Sequence, residues 1–160
     1  MELRDVRKED RELLWNINQK YLSEMTNYYD DPMDERGNLG YGYFEAYFSD
    51  PRRRAMLILD GGALVGFAMM HPYSNVGETP DFVLAEFSIF PMYRRRHLAT
   101  EAVGMLFERF CGRWEIKYHE KNAAAKALWN KLTERFSPRR ISLGETETVL
   151  AFVVGERGGA

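Results

Sequence analysis

The sequence predicts an α/β sandwich built on a mixed, mostly antiparallel central sheet of about six or seven strands, flanked by about four helices. Apolar runs of strand length follow one another in the middle of the chain. Strand-like and helix-like segments then alternate, and two further strand-like runs close the sequence. This mixture is typical of a mixed sheet covered by helices rather than of a doubly wound parallel fold.

Composition indicates an ordinary globular protein. The chain has 160 residues, 45% hydrophobic and 29% charged, with a formal net charge of -2. One domain is expected over residues 1–154, followed by a glycine-rich flexible tail over 155–160. Cys111 is the only cysteine, so it has no intrachain disulfide partner, and we expect it to be a small core residue. With no signal-like apolar start and no run of about 18 apolar residues, a cytoplasmic location is expected.

The first third of the chain predicts one strand and two helices. Residues 2–6 could form a short strand, and from Asp10 to Met25 the apolar residues recur at helical spacing. Residues 28–40 combine proline, glycines and acidic residues, which predicts a loop before a short helix near 41–48.

The middle of the chain carries the clearest local signal. The segments AMLILD and ALVGFAMM are joined by a tight turn of the Asp-Gly-Gly type, which predicts a β-hairpin from about Arg54 to residue 70. A loop over 72–80 leads to a strand over 81–90, which ends at Pro91 because proline cannot donate to a strand ladder.

The remaining elements alternate. Apolar spacing predicts a helix over about 99–110, a strand at 114–119 and a second helix over about 125–136. Two last strands are expected between Ile141 and Val154.

Three consecutive arginines, Arg94 to Arg96, lie between the strand ending at Pro91 and the following helix. The first amides of a helix are unpaired and lie at the positive end of its dipole, so this junction suits a bulky anion such as a phosphate. The alternative is an ordinary solvated loop.

The stretch 87–99, FSIFPMYRRRHLA, resembles the signature of the GCN5-related N-acetyltransferase superfamily. That signature is a strand, Pro-x-Tyr-Arg, and a Q/R-x-x-G-x-G/A loop that opens a helix. The stretch 122–131, NAAAKALWNK, is similar to the family run N-x-x-A-x-x-L/F-Y/W-x-K. The resemblance is close over about residues 54–136. YGYFEAYF, AEFSIF, YRRR and WEIKYHEKN particularly resemble a bacterial subgroup of uncharacterised predicted acetyltransferases.

The resemblance implies that acetyl-coenzyme A is the cosubstrate. The backbone of the loop and helix start would hold its pyrophosphate, and the strand at 87–89 would offer backbone groups to its pantetheine amides. The Asn122 side chain would hydrogen-bond the same molecule. The implied cofactor-binding residues are Phe87, Ser88, Ile89, Arg94, Arg95, Arg96, His97, Leu98, Ala99, Thr100, Asn122, Ala125 and Trp129.

His97 departs from the family signature, because it stands where the loop has its first glycine. A Cβ at a position of positive φ would cost about 1 kcal/mol. We expect the loop to keep an ordinary helical-side conformation with His97 pointing outward. The alternative is weak binding of coenzyme A.

The reaction implied by the resemblance is direct attack of an amine on the thioester carbonyl. An amine with a pKa of about 10.4 is almost fully protonated at neutral pH, so a general base is needed. Glu86 is the candidate, because an acid in the otherwise apolar strand VLAEFSIF would be desolvated. The alternative is a glutamate on an open face of the sheet, paired with an arginine.

The group that protonates the leaving thiolate is harder to identify. Many family members carry a tyrosine where this chain has Trp129, whose indole does not serve as a proton donor in that role. Tyr118 is the catalytic candidate, with His119 beside it as a substitute. Each such residue is more often a structural or surface residue, and the thiolate could leave unaided.

The variable region near the N-terminus is the expected acceptor side. There Tyr28, Tyr29, Asp31 and Tyr41 would suit a cationic amine held by charge and aromatic faces. The alternative is a solvated loop with its tyrosines in the core. His71, His97 and His119 have no ligand spacing, so no metal site is expected.

These observations predict an N-acetyltransferase that transfers the acetyl group of acetyl-coenzyme A to a primary amine of an unknown small-molecule or peptide acceptor. The alternative is a catalytically impaired module that binds coenzyme A or a partner. The clusters PRRR, YRRR and SPRR would allow nucleic-acid binding, but no paired aromatic platform accompanies them and the net charge is negative, so nucleic acid is not an expected partner. A membrane is not expected as a partner either. A homodimer through edge strands at the C-terminus is possible.

Overall fold

The computed structural model describes residues 1–155, so the expected tail lies, apart from Gly155, outside the described residues. The order of elements is the predicted one. The elements are β1 (Glu2–Asp5), α1 (Arg11–Met25), α2 (Ala46–Ser49), β2 (Arg54–Asp60), β3 (Ala63–His71), β4 (Phe82–Ile89), α3 (Leu98–Arg109), β5 (Gly112–His119), α4 (Ala123–Thr133), β6 (Arg139–Leu143) and β7 (Glu147–Val154). Within residues 1–155, the helices are too short or too polar for any of them to cross a membrane.

The strands of the described chain form one sheet in the order β1-β2-β3-β4-β5-β7-β6. Only the central pair, β4 and β5, is parallel, and all other neighbours are antiparallel. The predicted mixed, mostly antiparallel sheet is therefore confirmed. The hairpin of β2 and β3 turns at Gly61 and Gly62, as their positive φ angles of 57° and 83° require.

The two faces of the sheet are covered by different helices. On one face, α3 and α4 cover a core that includes Leu106, Phe107, Trp114 and Ile116. On the other face, Leu14 and Ile17 of α1 pack with Phe44 and with Phe67 and Met69 of β3. The helical apolar spacing of each segment therefore becomes the face that the helix turns toward the sheet.

Two expectations about local structure need correction. The short helix expected at 41–48 is only Ala46–Ser49, and turns occupy 42–45. Cys111 is exposed rather than buried, because it lies in the turn between the end of α3 and β5.

The central strands diverge. β4 pairs with β5 only over Phe82–Leu84 and Trp114–Ile116. On the other side of β4, Met69 lies opposite Glu86 while Met70 lies opposite Leu84, so Ala85 is the extra residue of a bulge. A bulge bends its strand and re-aims the side chains that follow. The second half of β4 therefore has a free edge along the gap that faces β5.

Gly66 permits close packing at the end of β4. It pairs with Ile89, and a Cβ built on it would lie 2.2 Å from the backbone oxygen of Ser88. A backbone atom cannot swing away as a side chain can, so only glycine fits here without moving β4.

We therefore expect Gly66→Ala to lower the free energy of unfolding by about 2 kcal/mol or more, because β4 must shift to relieve the overlap. Gly104→Ala is the matched control, since nothing lies within 4 Å of the added methyl in α3. The control should gain about 0.5 to 1 kcal/mol from helix propensity. Urea unfolding measures both, and equal stability of the two variants would contradict the packing argument.

Candidate active site

The gap between β4 and β5 opens into a cleft with two adjoining parts. The larger cavity, of about 320 Å³, lies at the point of divergence and the smaller, of about 260 Å³, lies between β4 and α4. The two parts share lining residues from α1, β4 and α4: Tyr21, Met25, Phe87, Asn122, Ala125 and Trp129. A ligand could therefore extend from one part into the other.

The loop before α3 has a strained backbone. His97 is the N-cap residue with φ 60° and ψ 16°, and Arg95 has φ 66°. The expectation that this loop keeps an ordinary helical-side conformation is therefore wrong. The chain passes from the short turn Pro91–Tyr93 into α3 within four residues, and it does so through two left-handed residues. Histidine is among the side chains that tolerate this region best.

His97 itself is exposed, so its side chain points away from the protein. Leu98, Ala99 and Thr100 form the first turn of α3, where the backbone amides have no partner inside the helix. Of these residues, Leu98 is buried and Ala99 lines the smaller cavity. The first turn of α3 thus presents amides and the positive end of a helix dipole beside the cleft.

All three arginines are exposed, but Arg94 also makes hydrogen bonds within the fold. The guanidinium of Arg94 donates to both carboxylate oxygens of Glu24 on α1 at 2.7 Å, and its Nε donates to the Ile89 carbonyl at 2.7 Å. This contact lowers the pKa of Glu24. Arg95 and Arg96 are exposed, and Arg96 lies over the Tyr93 ring at 5.9 Å.

The free edge of β4 supplies the middle of the cleft. Phe87, Ser88 and Ile89 line the smaller cavity beyond the last pair of the β4-β5 ladder. No residue of this segment takes part in the parallel ladder. The Ile89 carbonyl accepts from Arg94 instead. Asn122 caps α4 through its Oδ1, which accepts from the Ala125 amide at 3.1 Å, so its amide nitrogen can still donate to a ligand.

These features fit coenzyme A. Its phosphates suit the unpaired amides at the start of α3, and its pantetheine amides suit an unpaired strand edge. Nothing in the first turn of α3 blocks that approach, since Ala99 and Thr100 are small and the imidazole of His97 is exposed. The described chain holds no group of three or more His, Cys, Asp or Glu residues that could bind a metal ion.

Trp129 and Tyr118 lie at the floor of the cleft. Trp129 is buried and packs edge to face on Phe87, with ring centres 5.4 Å apart. The Tyr118 hydroxyl accepts a hydrogen bond from the Asn130 amide at 3.1 Å. Its own O–H therefore remains free to donate.

His119 is held between two tyrosines of the acceptor side. Its ring centre lies 5.9 Å from Tyr28 and 5.3 Å from Tyr29. Its Nδ1 accepts from the Lys121 amide at 3.0 Å, which places the ring proton on Nε2.

Glu86 lies on β4 directly after the bulge, in the larger cavity, and no arginine is paired with it among residues 1–155. Burial raises its pKa to about 7. The hydroxyls of Tyr21 and Tyr41 and the charge of Lys117 act in the opposite direction. The structure thus favours the desolvated position over an open face with an arginine partner.

Three of the four acceptor-side residues line the larger cavity with Glu86. These are Tyr29, Asp31 and Tyr41. The fourth, Tyr28, lines the smaller cavity. Burial and the nearby Glu86 charge raise the pKa of Tyr41. The tyrosines are therefore partly buried and line the cleft. The sequence left open an acceptor site or a solvated loop with its tyrosines in the core, and the structure shares features of both.

Several lining residues were not identified from the sequence. Tyr21 falls within the helical spacing from Asp10 to Met25, and Lys117 within the predicted strand at 114–119. Neither pattern identifies them as residues that line the cleft. Lys117 forms an ion pair with Glu147 of β7 at 3.2 Å, and the Tyr29 hydroxyl donates to the same carboxylate at 2.7 Å. The alternation of side chains along β5 could have placed Lys117 on the same face as His119. It could not have identified Glu147, which lies on a neighbouring strand distant in sequence.

Comparison with known proteins agrees with this geometry. The model of the acetyltransferase (GNAT) family matches residues 14–134, so the chain belongs to that family. The family resemblance seen in the sequence is thereby confirmed.

Solved acetyltransferase structures share the fold. An acetyltransferase of the GNAT family from Streptococcus agalactiae is similar with a TM-score of 0.71 and 16% identity, covering 97% of this chain and 96% of that one. An acetyltransferase from Thermus thermophilus gives 0.68 and 20%, with coverage of 95% and 96%. The ribosomal-protein-S18-alanine N-acetyltransferase from Escherichia coli gives 0.61 and 15%, with coverage of 98% and 96%. A comparison with curated protein sequences finds no significant match.

The position of Glu86 makes a prediction about stability. Its pKa is about 7 in the folded protein and near 4.5 when unfolded, so the folded state binds this proton more tightly. The contribution of Glu86 to the free energy of unfolding is therefore fully present below about pH 4.5, and it is lost as the pH rises through about 7. We expect the wild type to lose about 3 kcal/mol relative to Glu86→Gln between about pH 4 and pH 8.

Urea unfolding of both proteins across this range measures the difference directly. His71, whose pKa burial lowers to about 4, contributes the opposite slope below about pH 6.5 in both proteins and so cancels. A constant difference between the two proteins at every pH would contradict the raised pKa of Glu86.

Proposed function

We propose that this protein transfers the acetyl group of acetyl-coenzyme A to a primary amine. The observation that carries this proposal is the partly buried Glu86, whose pKa is raised to about 7, at the point where β4 and β5 diverge. It lies beside the free strand edge that leads to the amides of α3. Membership of the acetyltransferase family supports acyl transfer in general. The amine acceptor and the acetyl donor are the parts that we add.

The cosubstrate would lie along the smaller cavity. The amides of residues 95–100 would hold its phosphates, the backbone of Phe87 and the Ile89 amide its pantetheine, and the Asn122 amide an adjacent oxygen. Arg95 and Arg96 add positive charge at the entrance. When bound, the acetyl thioester supplies an electrophilic carbonyl.

Glu86 would act as the general base. At neutral pH, deprotonating an amine with a pKa of about 10.4 costs about 4.6 kcal/mol if nothing accepts the proton. A carboxylate whose pKa is about 7 is half ionised at that pH, and it holds the proton better than an exposed glutamate does. The hydroxyls of Tyr21 and Tyr41 orient the carboxylate.

Tyr118 is our candidate for protonating the leaving thiolate. Asn130 fixes the phenol oxygen from the side of α4, so the O–H can donate into the cleft.

Tyr29, Asp31 and Tyr41 would form the acceptor wall and Tyr28 its border with the cofactor side. The exposed Cys111 thiol supports a cytoplasmic location, where thiols stay reduced.

A thermal melt tests the cosubstrate. Acetyl-coenzyme A at about a hundred times its dissociation constant adds roughly 2.7 kcal/mol and should raise the melting temperature by several degrees. The double variant Arg95→Gln/Arg96→Gln should weaken this shift, because the phosphates lose two cations. Arg7→Gln/Arg36→Gln removes two other exposed arginines and should leave the shift unchanged. No shift at millimolar acetyl-coenzyme A would contradict the cosubstrate.

Kinetics with a panel of primary amines tests the base. We expect Glu86→Gln to lower kcat/KM at pH 7 by roughly a hundredfold or more and to remove the rise in rate near pH 7. The melting shift with acetyl-coenzyme A should survive, since Glu86 is not among the cofactor contacts. Glu108→Gln, an exposed position on α3, is the control. Binding of acetyl-coenzyme A without acetylation of any amine would favour the impaired binding module.

A further inference from the structure

Lys117 lies in the larger cavity with Glu86, on the strand that diverges from it. Among the ion pairs of residues 1–155 it contacts Glu147 at 3.2 Å and does not pair with Glu86. Its charge nevertheless lowers the pKa of Glu86, so the two groups lie within electrostatic range across the gap. The cavity thus has a carboxylate on one wall and an ammonium on the other, with space between them.

The Lys117 ammonium has donors to spare. A lysine has three N–H donors, and Lys117 forms one ion pair, with Glu147, whose carboxylate also accepts from the Tyr29 hydroxyl. Lys117 is an exposed residue with 35% of its side chain accessible, so a ligand in the cavity can reach its ammonium. A charge-assisted hydrogen bond from this ammonium to a ligand oxygen is roughly twice as strong as a hydrogen bond between neutral groups.

We propose, building on the proposed function, that the acceptor carries a carbonyl or carboxylate oxygen on the carbon next to its amine, as an α-amino acid or a peptide amino terminus does. The amine faces Glu86 and the oxygen accepts from Lys117. Tyr29 and Tyr41 cover the side chain of the acceptor. Lys117 is then a specificity-determining residue.

The same arrangement disfavours a polyamine. A second ammonium group close to the first would lie against the charge of Lys117. Glu147 offsets part of that charge through its ion pair with Lys117. An ammonium, unlike an oxygen, still cannot accept a hydrogen bond from Lys117. The cavity therefore favours an acceptor that carries an oxygen next to its amine over a polyamine, which carries a second amine there.

Three matched acceptors test the inference: tyramine, tyrosine and tyrosine amide. Tyramine lacks only the oxygen-bearing group. We expect tyrosine or its amide to exceed tyramine by roughly tenfold or more, both in kcat/KM with acetyl-coenzyme A and in affinity measured by calorimetry without it. Lys117→Gln should bring the three within about twofold, because the charge-assisted hydrogen bond is gone. Lys131→Gln, an exposed lysine of α4, should keep the wild-type preference.

Two further arms complete the design. Lys117→Arg keeps the charge and should keep the preference, so it tests the idea even if Lys117→Gln folds poorly. Preference for tyrosine over tyrosine amide identifies free amino acids, whereas preference for the amide identifies peptide amino termini. Tyramine equal to both in rate and affinity overturns the inference and leaves the transferase proposal intact. Preferential binding without acetylation of any of the three would overturn the proposed function and retain this one.

Discussion

The short parallel contact between β4 and β5 is the constraint on which the site depends. Three residues of each strand pair, and then the bulge at Ala85 bends β4 away. A longer ladder would fill the cleft with backbone hydrogen bonds, and no strand edge would remain for a ligand. A shorter one would leave the two halves of the sheet unconnected at its centre, because only this contact joins the hairpin side to β5 and β7.

The bulge also determines the electrostatics. It places Glu86 in the cleft, whereas unbroken alternation would exchange the faces of the residues that follow. Desolvation then raises the pKa of the carboxylate, while tyrosine hydroxyls and Lys117 limit the rise. A fully buried and unpartnered carboxylate would stay protonated at neutral pH and accept nothing. These opposing influences leave Glu86 with a pKa of about 7, so at neutral pH it is partly ionised and can accept a proton from an amine.

Much of the fold could be predicted from the sequence. The order of elements, the hairpin of β2 and β3 and the resemblance at residues 87–99 all depend on patterns within a short stretch of chain. The direction of Glu86 could not be predicted, because it depends on one extra residue in a ladder between separate strands. Lys117 escaped notice for a similar reason, since Glu147 and Tyr29 reach it from distant parts of the sequence. His97 shows the limit of a local rule, because the backbone takes a glycine-like conformation although the residue is not glycine.

The contact of Arg94 with Glu24 has a consequence for how the two halves of the site communicate. One guanidinium holds the last carbonyl of β4 and the carboxylate of α1, the helix whose next turn leads into the acceptor wall. A ligand that stiffened the loop before α3 would therefore also restrain α1 through this contact, and an occupant of the proposed acceptor side would restrain the loop in return. Such reciprocity is thermodynamic linkage, in which affinities at two places change by the same factor. In this protein the bidentate contact of Arg94 with Glu24 is a physical connection through which such linkage would act between the proposed cofactor and acceptor sides.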